Sequence, residues 1–200
     1  MSTMQVIRKR VSQVQRGNPF TNTQLLKLGS RASVDKTLSR LVTEGVIQRI
    51  TRGVFVRPKE SRFVGDVMPD VAKIIKVMAK DHGETIQVHG AEAARRFKLV
   101  TQMPTTPVFY TSGPTRQLTI GNLVVSLRHA SSRKLLLAGK RPGLALSALW
   151  YLGKNNVNAD VISAIREGLT EKEFITLKNT DMPTWMAEAL ARAGNVAEYG

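Results

Sequence analysis

The 200 residues include no cysteine, so disulfides, thiolate metal sites and cysteine nucleophiles are excluded, which suits a reducing compartment. Long apolar runs are missing too. The first residues lack the apolar stretch of a secretory signal, and no run of about 18 apolar residues is present to span a membrane. Acidic residues are scarce: 15 Asp and Glu stand against 30 Lys and Arg, a formal net charge of +15. The phosphate-cradling patterns GxxxxGK(S/T) and GxGxxG do not occur, and no HExxH accompanies His82, His89 and His129. Ser112-Gly113-Pro114-Thr115 reads as a turn rather than a nucleophile elbow, and no spacing of serine, histidine and aspartate selects a triad. No catalytic residue, metal site or cofactor is therefore expected.

What is present suits a soluble folded chain, 42% hydrophobic and 22% charged, long enough for one large domain or two modest ones. Its charge is uneven. Residues 1–60 carry 12 Lys and Arg against 3 Asp and Glu, a net of +9, and residues 61–143 carry 13 against 5, a net of +8. Residues 144–200 carry 5 against 7, a net of −2. A basic two thirds can gather nucleic acid by counterion release, although excess cations also serve solubility.

The N-terminal pattern is the most informative. Met4, Ile7, Val11 and Val14 form one apolar stripe on a helix that starts behind Ser2 or Thr3 and stops at Gly17-Asn18-Pro19. Phe20 is an apolar anchor, Thr21-Asn22-Thr23 are candidate N-caps, and a short helix follows through Leu25 and Leu26. After the Gly29-Ser30 turn a helix runs from Arg31 to Glu44, with Val34, Leu38, Leu41 and Val42 inward and Gly45 as its stop. Its outer side then carries Arg31, Ser33, Lys36, Thr37 and Arg40. In a helix-turn-helix these positions reach the major groove, so Arg31, Ser33 and Lys36 are expected at bases and Thr37 and Arg40 nearer the backbone. Val46–Ile50 and Val54–Val56 read as strands around Thr51-Arg52-Gly53, leaving Arg49, Arg52 and Arg57 free to line a wing. Pro58-Lys59-Glu60-Ser61 reads as a linker.

Beyond it, a helix is expected over 71–80, with Lys73, Lys76 and Lys80 outward, then a strand at 85–88 and a short helix over 90–98 whose Arg95, Arg96 and Lys98 make a basic corner. A strand at 107–111 ends at the Ser112–Thr115 turn, and strands at 116–120 and 123–127 surround a Gly121-Asn122 hairpin. Arg128, Arg133 and Lys134 leave this layer as concentrated positive charge, fit for nucleic acid, an acidic partner or solvation alone. The rest is helical: a helix at 135–137 interrupted over 139–143 and resumed at 144–152, then helices at 160–167, 171–177 and behind Pro183. Thr170 and Glu173 spell a capping box. The expected fold is α+β: a winged helix-turn-helix over 1–60, then a mixed α/β domain over 65–200 with a helical C-terminal part.

Three stretches carry a family resemblance. They are the run from Leu38 to Phe55, Phe109-Tyr110-Thr111-Ser112-Gly113-Pro114-Thr115 with Leu127-Arg128-His129-Ala130, and Asp181-Met182-Pro183-Thr184-Trp185-Met186. With the order winged helix, linker, small α/β region and helical tail, the chain resembles the AbiEi-like antitoxins of type IV toxin–antitoxin systems and a related family of formerly unknown function. The resemblance implies a bacterial, cytoplasmic protein that represses its own operon by binding inverted repeats of double-stranded DNA. It further implies a C-terminal domain that neutralises a nucleotidyltransferase-like toxin, generally without a stable complex. By the same resemblance Arg31, Ser33, Lys36 and Arg40 fall on the recognition helix, Arg49 and Arg52 on the wing, and Arg128-His129 with Arg133-Lys134 in the antitoxin domain; no catalytic residue transfers. With no long heptad repeat to hold a dimer, the expected state is a monomer or weak dimer pairing on half-sites. Two other readings stay open. One is a winged-helix regulator whose second domain senses a ligand or dimerises. The other is a nucleic-acid-processing enzyme, which needs converging carboxylates or histidines in a basic cleft.

Overall fold

Ser2 opens the first helix with a reciprocal cap. Its hydroxyl accepts from the Gln5 N–H while its own N–H donates to the Gln5 side chain, starting α1 (Thr3–Ser12). The computed structural model describes residues 2–61, 65, 66, 68–102 and 105–195, which form an α+β protein of two compact units. The first comprises Met1–Glu84 with Thr119–Leu123, the second Thr85–Leu118 with Val124–Gly200.

In the first unit α1 is followed by β1 (Pro19–Thr21), a 3-10 turn (Thr23–Leu28), α2 (Arg31–Thr43), β2 (Gln48–Thr51) and β3 (Val54–Val56). The three strands form an antiparallel sheet in the order β1-β3-β2. The hairpin between β2 and β3 turns at Gly53, whose φ of +76° is left-handed, and its register shifts between Arg49 and Thr51. Sequence pattern had placed Phe20 only as an anchor. In the structure it lies in β1, directly opposite Phe55, with the two rings stacked 6.0 Å apart. A three-residue strand is too short to show alternation, and it forms here because the free edge of β3 supplies partners. Ile7 and Val11 of α1, Val34, Leu38 and Leu41 of α2, and Phe55 bury the core of this unit. Met4, expected on the same stripe, is instead exposed, with Arg40 donating to its sulfur at 3.5 Å.

The stretch read as a linker is paired chain: β4 (Glu60–Ser61) lies antiparallel to β5 (Gly65–Asp66). Asp70 then caps α3 (Val71–Asp81), accepting from the Ala72 N–H at 3.0 Å. Asp81 at its end accepts a hydrogen bond from the Thr23 hydroxyl, so α3 belongs with the N-terminal elements. The first unit thus extends through α3 to Glu84.

The second unit contains β6 (Ile86–Val88), α4 (Gly90–Arg96), β7 (Val108–Thr111), and, apart from their ends within Thr119–Leu123, β8 (Arg116–Ile120) and β9 (Leu123–His129), then α5 (Arg141–Leu152), α6 (Ala159–Glu167), α7 (Glu171–Lys178) and α8 (Thr184–Asn195). Its sheet has the order β6-β7-β9-β8, with β6 antiparallel and β9 parallel to β7. Thr170 and Glu173 form the expected capping box on α7. The expected break over 139–143 is shorter. After a 3-10 turn (Ser132–Leu135), α5 already begins at Arg141, with Pro142 in its first turn, where a missing N–H costs nothing. The helix runs on through Gly143, where the Leu137 carbonyl, 2.1 Å from the place of a Cβ, leaves room for glycine alone.

Small residues let α4 lie close on α5. Ala93, Ala94, Ala145 and Ala148 are fully buried in the core of this unit. A Cβ on Gly90 would come within 2.3 Å of the Tyr151 Cβ and 2.6 Å of the Ser147 carbonyl. Gly90→Ala should push the two helices apart and destabilise the protein by roughly 1–3 kcal/mol, read as a lower denaturation midpoint. An unchanged midpoint would show that the α4–α5 contact is not tight.

Candidate functional site

Two elements of the first unit present cations from one framework, α2 and the β2–β3 turn. Ser30 caps α2, its hydroxyl accepting from the Ser33 N–H at 3.3 Å. With Val34, Leu38 and Leu41 buried, the helix turns Arg31, Asp35, Lys36, Ser39 and Arg40 to the exterior. Lys36, Ser39, Arg40, Thr43 and Glu44 line a shallow hollow of about 460 Å³ along it. Glu44 there is paired with Arg8 of α1.

The side chains expected on this face separate into two groups. Arg31, Lys36, Arg40 and Arg52 are exposed. Thr37 is not on the outer face: it is 5% exposed, and its hydroxyl donates to the Ser33 carbonyl at 2.7 Å. At a helical step of 100° it lies between Val34 and Leu41, on the buried side of the helix. Ser33 is half-buried, and its hydroxyl accepts from Ser30 at 3.1 Å, so it serves the cap. Arg49 is exposed but held, its guanidinium 5.3 Å from the centre of the Phe55 ring. Arg57, expected along the wing, turns back to α1 and donates to the carbonyls of Ser12, at 2.5 Å, and Val14, at 2.8 Å. Those carbonyls at a helix end have no intrahelical donor, which is why a cation is drawn there.

Asn22 and Asp35 join the elements. Asn22 was a candidate N-cap, yet its side chain caps nothing. Its backbone N–H donates to the Gly53 carbonyl at 3.1 Å, and its side-chain amide donates to Asp35 at 3.1 Å. Asp35 in turn pairs with Arg31, one helical turn back, at 3.8 Å. A chain of polar contacts thus runs from the Arg52-Gly53 tip through Asn22 and Asp35 to Arg31. The i,i+4 spacing of Arg31 and Asp35 was visible in the sequence; the Asn22 link, across 13 residues, was not.

In the second unit, the cations expected as a second basic surface are mostly engaged. Arg95 and Arg96 both donate to Glu92, at 2.7 and 2.9 Å, and Arg95 first, then Arg96, holds the Glu92 carboxyl below its ordinary pKa. Arg133 pairs with Asp181 at 2.8 Å. Lys98, with φ of +60°, lines a hollow of about 490 Å³ together with Arg96 and Arg141. Lys134 lies over the Trp150 ring at 5.1 Å, and Arg128 stands opposite Tyr110 across β7 and β9. Beside them His89 stacks on Tyr110 at 4.7 Å and meets Tyr151 edge-on at 6.1 Å. Burial first, then the charges of Arg128 and Lys134, lower its pKa from the ordinary 6.5. Among the described residues no three His, Asp or Glu side chains gather into a metal-holding group, and no helix is long and apolar enough to cross a membrane.

The profile of a family of unknown function, DUF6088, matches residues 6–177, and the chain belongs to that family. No curated protein matches it.

The His89 shift has a measurable consequence. A depressed imidazole pKa means that the unfolded chain binds the proton more readily, so stability is complete above pH 6.5 and declines as pH falls through 6.5 and then through the folded value. His89→Asn keeps a side chain able to cap α4 but cannot titrate. The wild-type melting midpoint should fall relative to this variant on going from about pH 7.5 to about pH 5.5. A gap that stays constant over that range would contradict the assignment.

Proposed function

We propose that the first unit is a winged helix-turn-helix that binds double-stranded DNA, with α2 in the major groove and the β2–β3 turn as its wing. The observation that carries this reading is the Asn22 link, which joins the Arg52-Gly53 tip to the exposed face of α2. Groove and backbone contacts need a fixed mutual geometry, since a helix in the groove and a wing at the phosphates must be satisfied together. Arg31, near the helix start, is the candidate for base contacts, held for that purpose by Asp35. Lys36, exposed on the same helix, is the second candidate for base contacts, while Arg40 and, on the wing, Arg52 take phosphates. The net +9 of residues 1–60 supplies the long-range attraction.

The wider role rests on the resemblance to AbiEi-like antitoxins described above. In this reading the protein is cytoplasmic, represses its own operon at an inverted repeat, and opposes a nucleotidyltransferase-like toxin through its second unit. Protection of an inverted repeat upstream of its own gene is the footprint expected. If the full chain rescues growth when co-expressed with such a toxin, a DNA-binding-deficient variant should rescue it too, because the two tasks lie in different units.

Replacing Arg31, Lys36 and Arg40 together with alanine should weaken operator binding by at least about tenfold. Arg52→Ala alone should lower the slope of log affinity against log salt by about 1, as the loss of one phosphate contact does. Thr37→Val should leave affinity unchanged, since that side chain is buried. Equal affinity for the triple variant and the wild type would refute the face assignment.

A further inference from the structure

A seam in the second unit, between its sheet and α5, is rich in hydrogen-bond donors that, among the described residues, have no acceptor. Gln87, Tyr110 and Arg128 stand in one row across β6, β7 and β9, and so share a face of the sheet. Gly143, Ser147 and Trp150 lie on one stripe of α5 at i, i+4 and i+7. The Gln87 side-chain nitrogen closes the inner end, 2.6 Å from where a Gly143 Cβ would stand. Along this seam the Gln87 Nε2, the Ser147 Oγ and the Trp150 Nε1 are all buried and lack a hydrogen-bond partner. Gln87 is 2% exposed and Ser147 1%. Buried polar atoms without partners are costly, and three in one unit call for an explanation.

At its outer end the seam meets Lys134, over the Trp150 ring, and Arg128, exposed at the end of the row. Neither makes an ion pair among the described residues. His89 adds a further donor. Its Nδ1 accepts from the Ala91 N–H at 3.3 Å, so the neutral ring carries its proton on Nε2. Tyr151, edge-on to His89, is 47% exposed. At the outer end two cations without an ion pair, an imidazole N–H and the partnerless Trp150 indole N–H are complementary to an anion. Three oxygens on one phosphorus can engage such a convergent set better than a planar carboxylate can.

We propose that the mouth of this seam binds a terminal phosphate group, its oxygens held by Arg128, Lys134 and the His89 Nε2–H. An oxygen of the ligand, or a water it anchors, gives the indole N–H of Trp150 the acceptor that it lacks. The site is independent of DNA binding by the first unit. The same chemistry could come from free phosphate or from a nucleotide whose base stacks on the exposed Tyr151 ring.

The test is calorimetric titration of the full chain with inorganic phosphate, with adenosine 5′-monophosphate and with adenosine, following Trp fluorescence in parallel. Saturable binding of at least one phosphate probe is expected, weakened about tenfold in the double variant Arg128→Gln, Lys134→Gln and changed by less than about twofold in Lys36→Ala, Arg40→Ala. The fluorescence change should vanish in Trp150→Phe, which leaves Trp185 in place. Tighter binding of the nucleotide than of phosphate identifies a nucleotide as the ligand, and equal binding identifies free phosphate. The proposal is overturned if neither phosphate probe saturates, if adenosine binds as well as its monophosphate, or if the Arg128, Lys134 variant binds like wild type while remaining folded by circular dichroism.

Discussion

The exposed face of the first unit depends on Asn22. Its backbone N–H binds the hairpin tip and its side chain binds Asp35 on α2, so one residue spans the two elements that carry the free cations. A Cβ on Gly53 would stand 3.3 Å from the Asn22 Oδ1, so the tip approaches this residue closely as well as bonding to it. β1 positions Asn22 by ending at Thr21, and β1 exists because Phe20 stacks on Phe55 and pairs along β3. The buried aromatic pair therefore sets the geometry of an exposed polar chain. Hydrophobic burial supplies the energy and hydrogen bonds supply the register, in keeping with their usual magnitudes.

Net charge alone misdescribes this protein. Much of the cationic excess is committed within the fold: Arg57 to the carbonyls of α1, Arg8 to Glu44, Arg95 and Arg96 to Glu92, Arg133 to Asp181. Such cations still contribute to the long-range field but are constrained at short range. Lys36 and Arg52 in the first unit, and Arg128 and Lys134 in the second, make no ion pair among the described residues. Other cations also lack an ion pair, so these four stand out by their surroundings, Lys36 and Arg52 beside a helix and a hairpin tip, Arg128 and Lys134 beside buried donors.

Much of the secondary structure was legible because it is locally encoded. α2 has its apolar stripe and its Gly45 stop, and α7 has Thr170 and Glu173 at the spacing a capping box requires. The features that escaped are tertiary. β1 is too short to have a period of its own. Gly143 looked like a breaker because its reason for being glycine, the Leu137 carbonyl, lies outside the helix. Thr37 sits one residue from Lys36, and its polar character suggested exposure, but its hydroxyl is satisfied by the Ser33 carbonyl and can be buried. The basic clusters were visible as composition, while the pairings that distinguish Arg133 from Lys134 depend on Asp181 and Trp150, far along the chain.

The central claim is that α2 and the hairpin tip form one surface that DNA contacts as a unit. The most direct measurement is a titration of isotope-labelled protein with its own upstream duplex, following backbone amide shifts by NMR. The account predicts concerted changes, with one common dissociation constant, at residues 31–43, at the 51–53 tip and at Asn22. Changes confined to residues 85–195, or a tip that does not respond when α2 does, would contradict it.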